Sequence, residues 1–211
     1  MTVMASIEYA TIEVADPAAT SAFYTTAFGV GSQLRLRASA EPTSGFRGFT
    51  LNLGVSQPAT VNNLIDTALH AGATLLKPAT KQFWGGYSGV IQAPDGTIWK
   101  IATATKKDTG PPTRHIDGIA ILLGVADVTA SKHFYLDHGF TIAKSYGRKF
   151  VSFAPSGPVE LVLYGRTAAA KDAGVPPAGT GSHRLIIGSD TGPFTDPDGF
   201  IWEAATPTPT S

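Results

Sequence analysis

Tyr9, Thr11 and Glu13 occupy alternate positions of IEYATIEV (7–14), so one face of that strand carries a phenol, a hydroxyl and a carboxylate. An ammonium, Lys100, follows Trp99 in a later strand, and a carboxylate, Glu203, follows Trp202 in another. Such groups can donate, accept or relay a proton, with Tyr9 as hydrogen-bond donor, Glu13 as base or counter-charge and Lys100 as anchor for an anion or carbonyl. The bland reading of the same residues is an internal Lys100 to Glu13 ion pair that satisfies two half-buried charges. Phe83, Trp84 and Tyr87 flank two glycines in FWGGY and suit a flat or apolar ligand, unless the rings pack inward instead. Tyr146 and Arg148, with Lys144 and Lys149, could hold an anion or could decorate a solvated hairpin. His133 and His138 lie five residues apart on a predicted helix, about 140° round its axis, and cannot share one ion.

Other chemistry is excluded by composition. With no cysteine, the 211-residue chain has no disulfide, thiolate metal site or cysteine nucleophile. Sixteen basic and sixteen acidic residues leave no positive surplus to displace counterions from a phosphate backbone, so nucleic acid is not an expected partner. The longest apolar run, 119–126, is too short to cross a bilayer, and no membrane partner is expected. No lysine or arginine precedes Arg35, which argues against a signal peptide and makes the cytoplasm the expected compartment. Neither a Gly-x-Ser-x-Gly elbow nor a dinucleotide or phosphate-binding glycine loop occurs.

The elements that must position these groups come in two copies. Ala-Asp at 15 and 126 and Phe-Tyr at 23 and 134 repeat at one spacing, and Pro-Asp-Gly-x-Ile-Trp at 94–99 recurs at 197–202. This divides the chain into modules 1–105 and 114–206, the linker KKDTGPPT (106–113) and a tail, 207–211. In module one the alternating strand 7–14 precedes a helix capped by Asp16 with Pro17 at its first position. Strands at 33–37 and 46–55, a helix at 60–71 closed by Gly72, and strands at 87–92 and 97–102 follow. Module two reads as strand 116–125, helix 128–138, strands 149–154, 159–164, 183–187 and 200–205, and a short helix at 167–173. The fold class expected is α+β, a curved mixed or antiparallel sheet with helices on its convex face and room for a ligand in the concave one. Trp99 and Trp202 alternate with Lys100 and Glu203, which sends both indoles into the core.

A strand, an Asp-x-x-x-(Ser/Thr)-x-x-Phe-Tyr helix, further strands and a final Pro-Asp-Gly-x-x-Trp strand resemble the vicinal oxygen chelate superfamily of glyoxalases, bleomycin-resistance proteins and extradiol dioxygenases. The segments that carry this are VADPAATSAFYTTAFG, WGGYSG with PDGTIW, and ADVTASKHFYLDHG with DPDGFIWE. The resemblance implies paired βαβββ modules cupped round a cavity. It also implies a metal held by a residue seven before the capping Asp and a glutamate four after the glycine of Pro-Asp-Gly. Those positions hold Tyr9 and Lys100 in module one, Gly118 or Ala120 and Glu203 in module two, so only Glu203 retains a ligand, and one carboxylate is too few for a catalytic metal. His115, His183 or Glu160 near Glu203 would be the rescue. The expectation is therefore a protein, monomer or homodimer, that binds a small apolar or aromatic molecule with no cofactor. The alternative is a lyase, isomerase or dioxygenase using acid–base groups or a divalent metal at Glu203.

Overall fold

The computed structural model describes residues 4–83, 85–181 and 184–205. Strand β1 (Ile7–Val14) leads into α1 (Pro17–Ala27), where the Asp16 carboxylate accepts the Ala19 N–H at 3.0 Å and Pro17 gives up no needed donor. Then come β2 (Leu34–Ala38), β3 (Thr43–Gly45), β4 (Phe49–Gly54), α2 (Pro58–His70), β5 (Thr74–Lys81), β6 (Tyr87–Gln92) and β7 (Ile98–Thr103). The second half runs β8 (Gly118–Val125), α3 (Val128–Asp137), β9 (Ile142–Ser145), β10 (Phe150–Phe153), β11 (Val159–Gly165) and α4 (Arg166–Ala173). It ends with β12 (Gly179–Gly181), β13 (Leu185–Ser189), β14 (Phe194–Thr195) and β15 (Ile201–Ala204). No helix among the described residues is long and apolar enough to cross a membrane.

Thirteen of the strands interleave the two halves in one mixed sheet, ordered β14-β15-β13-β1-β11-β8-β4-β7-β6-β5, with β2 added to β1 and the β9-β10 hairpin to β11, while β3 and β12 pair apart from it. Strand β1 pairs antiparallel with β13 of the far half, and β8 antiparallel with β4. Each half's first strand is thus paired with the other half. The linker has no regular structure but is pinned: Asp108 accepts the Ala59 N–H at the start of α2, and Gln57 bonds Thr109, Gly110 and Pro111.

The pleat sorts the side chains. Ala10, Ile12, Leu51, Leu53, Trp99, Ile101, Ile121, Leu123 and Trp202 face α1, α2 and α3 in one buried core. Both tryptophans are buried, as their phase requires. Their alternates Val90, Ile98 and Leu122 face the opposite way, against Ala169, Ala170 and Ala173 of α4. Three helices cover one face as expected, and the fourth lies on the other. Helix α4 comes close because its facing residues are alanines over Gly124, where an added Cβ would meet the Ala169 Cβ at 3.0 Å.

Strand β5 and the short β3, β9, β12 and β14 escape a sequence reading. β5, TLLKPATK, carries Pro78 and two register shifts, which mark an edge strand without clean alternation.

The repeated Phe-Tyr and Pro-Asp-Gly motifs meet in space. Tyr24 donates to Asp95 at 2.8 Å and accepts the Trp99 indole N–H at 3.2 Å, which ties α1 to β7. In the second copy Tyr135 donates instead to Asp196, two residues ahead of the matching aspartate, at 2.5 Å. Asp198 there accepts the Ala126 N–H and the Ser131 hydroxyl. Burial pushes both phenols well above their ordinary value, so they act as neutral donors.

Tyr24→Phe leaves a buried indole N–H short of its acceptor and should cost about 1–3 kcal/mol in urea unfolding. Burial also raises the Asp196 carboxyl, against four hydrogen bonds that pull it down. A raised folded pKa gives stability that is full below the unfolded value and lost as pH rises through the folded one. Asp196→Asn lacks that loss, so its stability relative to the parent should climb as pH rises above the ordinary carboxylate range, about pH 4. A pH-independent difference in unfolding free energy would refute this.

Candidate functional site

The face opposite α1–α3 has two parts. Around β8 it is covered by α4, and around β1 it carries no helix among the described residues, although Tyr9 and Thr11 are themselves only 7% and 3% exposed.

On the part without a helix, Tyr9 of β1, Gly188 of β13 and Glu203 of β15 lie in one row, set by the pairings Tyr9↔Gly188 and Gly188↔Glu203. The Tyr9 ring lies against Gly188, where any Cβ would collide with it. Its hydroxyl donates to Glu203 Oε1 at 3.0 Å. From β2, Arg37 grips the same carboxylate at 3.1 Å, with side-chain exposures of 48% and 30% for the two partners. The Arg35 guanidinium carbon sits 3.3 Å from the Tyr9 ring centroid. Thr11 and Glu13 continue the β1 face, and parallel pairing sets them beside Arg35 and Arg37. Ile201, 53% exposed, adds an apolar patch on the strand that carries Glu203. Burial, then the Glu203 carboxylate, raises the Tyr9 phenol, which therefore donates rather than acts as a base at neutral pH.

Lys100 is elsewhere. It lies four strands from β1 in the sheet order, about 19 Å at roughly 4.8 Å per strand. Both oxygens of Asp172, on α4, accept from it at 2.8 Å. The expected Lys100–Glu13 ion pair does not form, because the partner comes from a helix that crosses onto this face. Lys100 and Asp172 border a polar cavity of about 230 Å³ with Lys77, Ser88 and Gln82. The row Ala120, Asn52, Lys100 across β8, β4 and β7 is the covered counterpart of Tyr9, Gly188, Glu203.

The expected aromatic mouth is not assembled. Tyr87 belongs to the helix side and donates to Asn62 of α2 at 3.0 Å, because its strand phase matches Ile91 rather than Val90. Phe83 is fully exposed in the turn, and Trp84 lies outside the described residues. Tyr146 and Arg148 stand exposed on the β9-β10 hairpin. The Tyr146 ring is 5.6 Å from Phe150, which is 5.1 Å from Tyr164, an aromatic row at the far edge of the covered part.

Among the described residues no three His, Asp or Glu are grouped to hold a metal ion. The donors round Glu203 suit a divalent cation poorly, since a phenol O–H and a guanidinium already take its oxygens and the guanidinium repels a second cation. His115 pairs with Asp117 at 3.4 Å, Glu160 lies three strands from Glu203, and His183 is outside the described residues. Arg35 and Arg37 are the site residues that sequence reading overlooked. Their signal was legible in LRLRA, two arginines on one face of a strand. Asp172 had no such signal.

No family model and no curated protein matches the chain. Solved structures do. A glyoxalase I mutant from Zea mays aligns over 94% of this chain and 91% of its own, with TM-score 0.61 and 16% identity. Glyoxalase I from the same plant aligns over 88% and 75%, with TM-score 0.60 and 17% identity. A proposed dioxygenase from Bacillus subtilis aligns over 87% and 69%, with TM-score 0.58 and 14% identity. The fold is that of the vicinal oxygen chelate superfamily, the glyoxalase, bleomycin-resistance and dioxygenase group.

Gly188→Ala should displace the Tyr9 ring from Glu203 and cost about 1–3 kcal/mol by overpacking. The Tyr9 phenol should then titrate nearer its ordinary value, read from the ring carbon shifts of labelled tyrosine, and an unchanged titration would contradict the packing described.

Proposed function

We propose that the chain binds a small, flat apolar or aromatic molecule against Arg35 and Ile201, on the face without a helix beside Tyr9, without the metal that the fold's glyoxalase-type enzymes use. The carrying observation is that Arg37 and Tyr9 both hold Glu203. The position that would ligate a cation is instead spent on an ion pair that fixes Arg37. Arg35, already stacked on Tyr9, offers a planar cation on which an aromatic ring can lie, and Ile201 extends the surface. The β8 side supports this choice of face, because α4 fills the equivalent space there.

A second reading, acid–base catalysis of lyase or isomerase type, rests on the same Tyr9–Glu203 pair, a neutral phenol donating to a carboxylate that could exchange protons with a ligand.

Metal analysis and saturation-transfer NMR with 2-naphthol separate these outcomes. Binding that survives chelator and is weakened about tenfold or more by Arg35→Ala or Ile201→Glu is the expected result. One equivalent of a transition metal in purified protein, with chelator abolishing binding, overturns the metal-free reading. Turnover of a dicarbonyl or dihydroxyaromatic panel that is lost in Tyr9→Phe would favour the enzyme.

A further inference from the structure

We propose that a cleft along α1, separate from the Tyr9 face, binds a small organic anion, an acidic group on an apolar body, with Arg184 as its counter-charge. The cleft measures about 740 Å³, within the usual range for small-molecule sites. Its walls come from Ala19, Ala22 and Phe23 of α1, Ala71 after α2, Pro94 before Asp95, and Arg184 before β13.

Arg184 is the unusual wall. It is only 8% exposed, yet among the described residues no carboxylate lies within ion-pairing distance of it. Its Nη2 donates to the Ser39 carbonyl and to that of Glu41, while the buried Nε has no partner. The backbone there is held at φ 56°, a conformation that non-glycine residues rarely adopt, and its carbonyl accepts the Glu13 N–H. A buried guanidinium without a counter-ion is costly, and a binding site is one reason to keep it.

A second guanidinium reinforces the field. Arg47 donates to the Asp95 carbonyl at 2.5 Å, and its buried Nη1 has no partner. Burial chiefly, with the Arg184 charge adding to it and Asp95 opposing, holds Arg47 below its ordinary value, which places the two cations within each other's field. The carboxylates on the walls are committed: Asp16 caps α1, and Asp95 accepts from the hydroxyls of Tyr24 and Thr97. Neither is within ion-pairing distance of Arg184, so the partner that this guanidinium lacks among the described residues is an anion. The alanine, phenylalanine and proline walls then suit an apolar body rather than a bare inorganic ion.

Calorimetric titration of the whole chain with octanoate, octanol and inorganic phosphate tests this. Octanoate should bind, and Arg184→Gln should weaken it about tenfold or more while leaving octanol unchanged. Ala22→Trp, at an exposed position of α1 that leaves the core intact, should block octanoate and octanol alike. Arg35→Ala, on the Tyr9 face, should alter neither, so failure here is distinct from failure of the function proposed above. The proposal is overturned if octanoate does not bind, if Arg184→Gln and Ala22→Trp leave its binding intact, or if phosphate binds as tightly in the face of Ala22→Trp.

Discussion

The antiparallel pairing of β1 with β13 is the interaction on which the face without a helix depends. It joins the first strand of one half to the last strands of the other, and it brings Tyr9 and Glu203, 194 residues apart, to a 3.0 Å hydrogen bond. A one-residue slip in that pairing would turn Tyr9, Thr11 and Glu13 into the apolar core and Ala10, Ile12 and Val14 onto the polar face, so burial of the apolar set enforces the register. Gly188 tightens it further, because only a residue without Cβ lets the tyrosine ring lie on the strand. The polar face is therefore a consequence of how the core is sealed on the other side.

The same logic gives different results in the two halves. Pairing of β8 with β4 builds a matching row of Ala120, Asn52 and Lys100, but α4 lies over that side of the sheet. The first half places its second helix after β4, where α2 joins the main core. The second half places its own before β13, on the opposite face. Small residues on helix and strand allow the close approach, and Asp172 supplies the charge that keeps Lys100 compatible with an interior position. One side of the sheet is left without a helix and the other is filled by α4.

Charge distribution follows the same division. On the side without a helix a phenol and a guanidinium saturate Glu203, leaving Arg35 stacked on an aromatic ring as the cation facing solvent. Along α1 the balance is reversed, with Arg184 enclosed and, among the described residues, no carboxylate within ion-pairing distance of it. The net charge of zero conceals both arrangements, since charges that cancel in the sum need not be neighbours.

Much of the fold was legible in the sequence. Alternation in IEYATIEV set the strand and its two faces, and Asp16-Pro17 marked the start of α1, because caps, turns and pleats act over a few residues. The phases of Trp99 and Trp202 were equally local, and both indoles are buried. What lay beyond reach was every relation between distant segments. Nothing in the chain near Lys100 announces Asp172, nothing near Glu203 announces Arg37, and the phase of Tyr87 mattered more than its place beside two glycines. By itself the sequence determined which residue types could meet a ligand and which strand face each occupied. Which of them meet one another was decided only by strand exchange between the halves and by the side of the sheet that α4 takes, since those follow from burial summed over the whole core rather than from any local spacing.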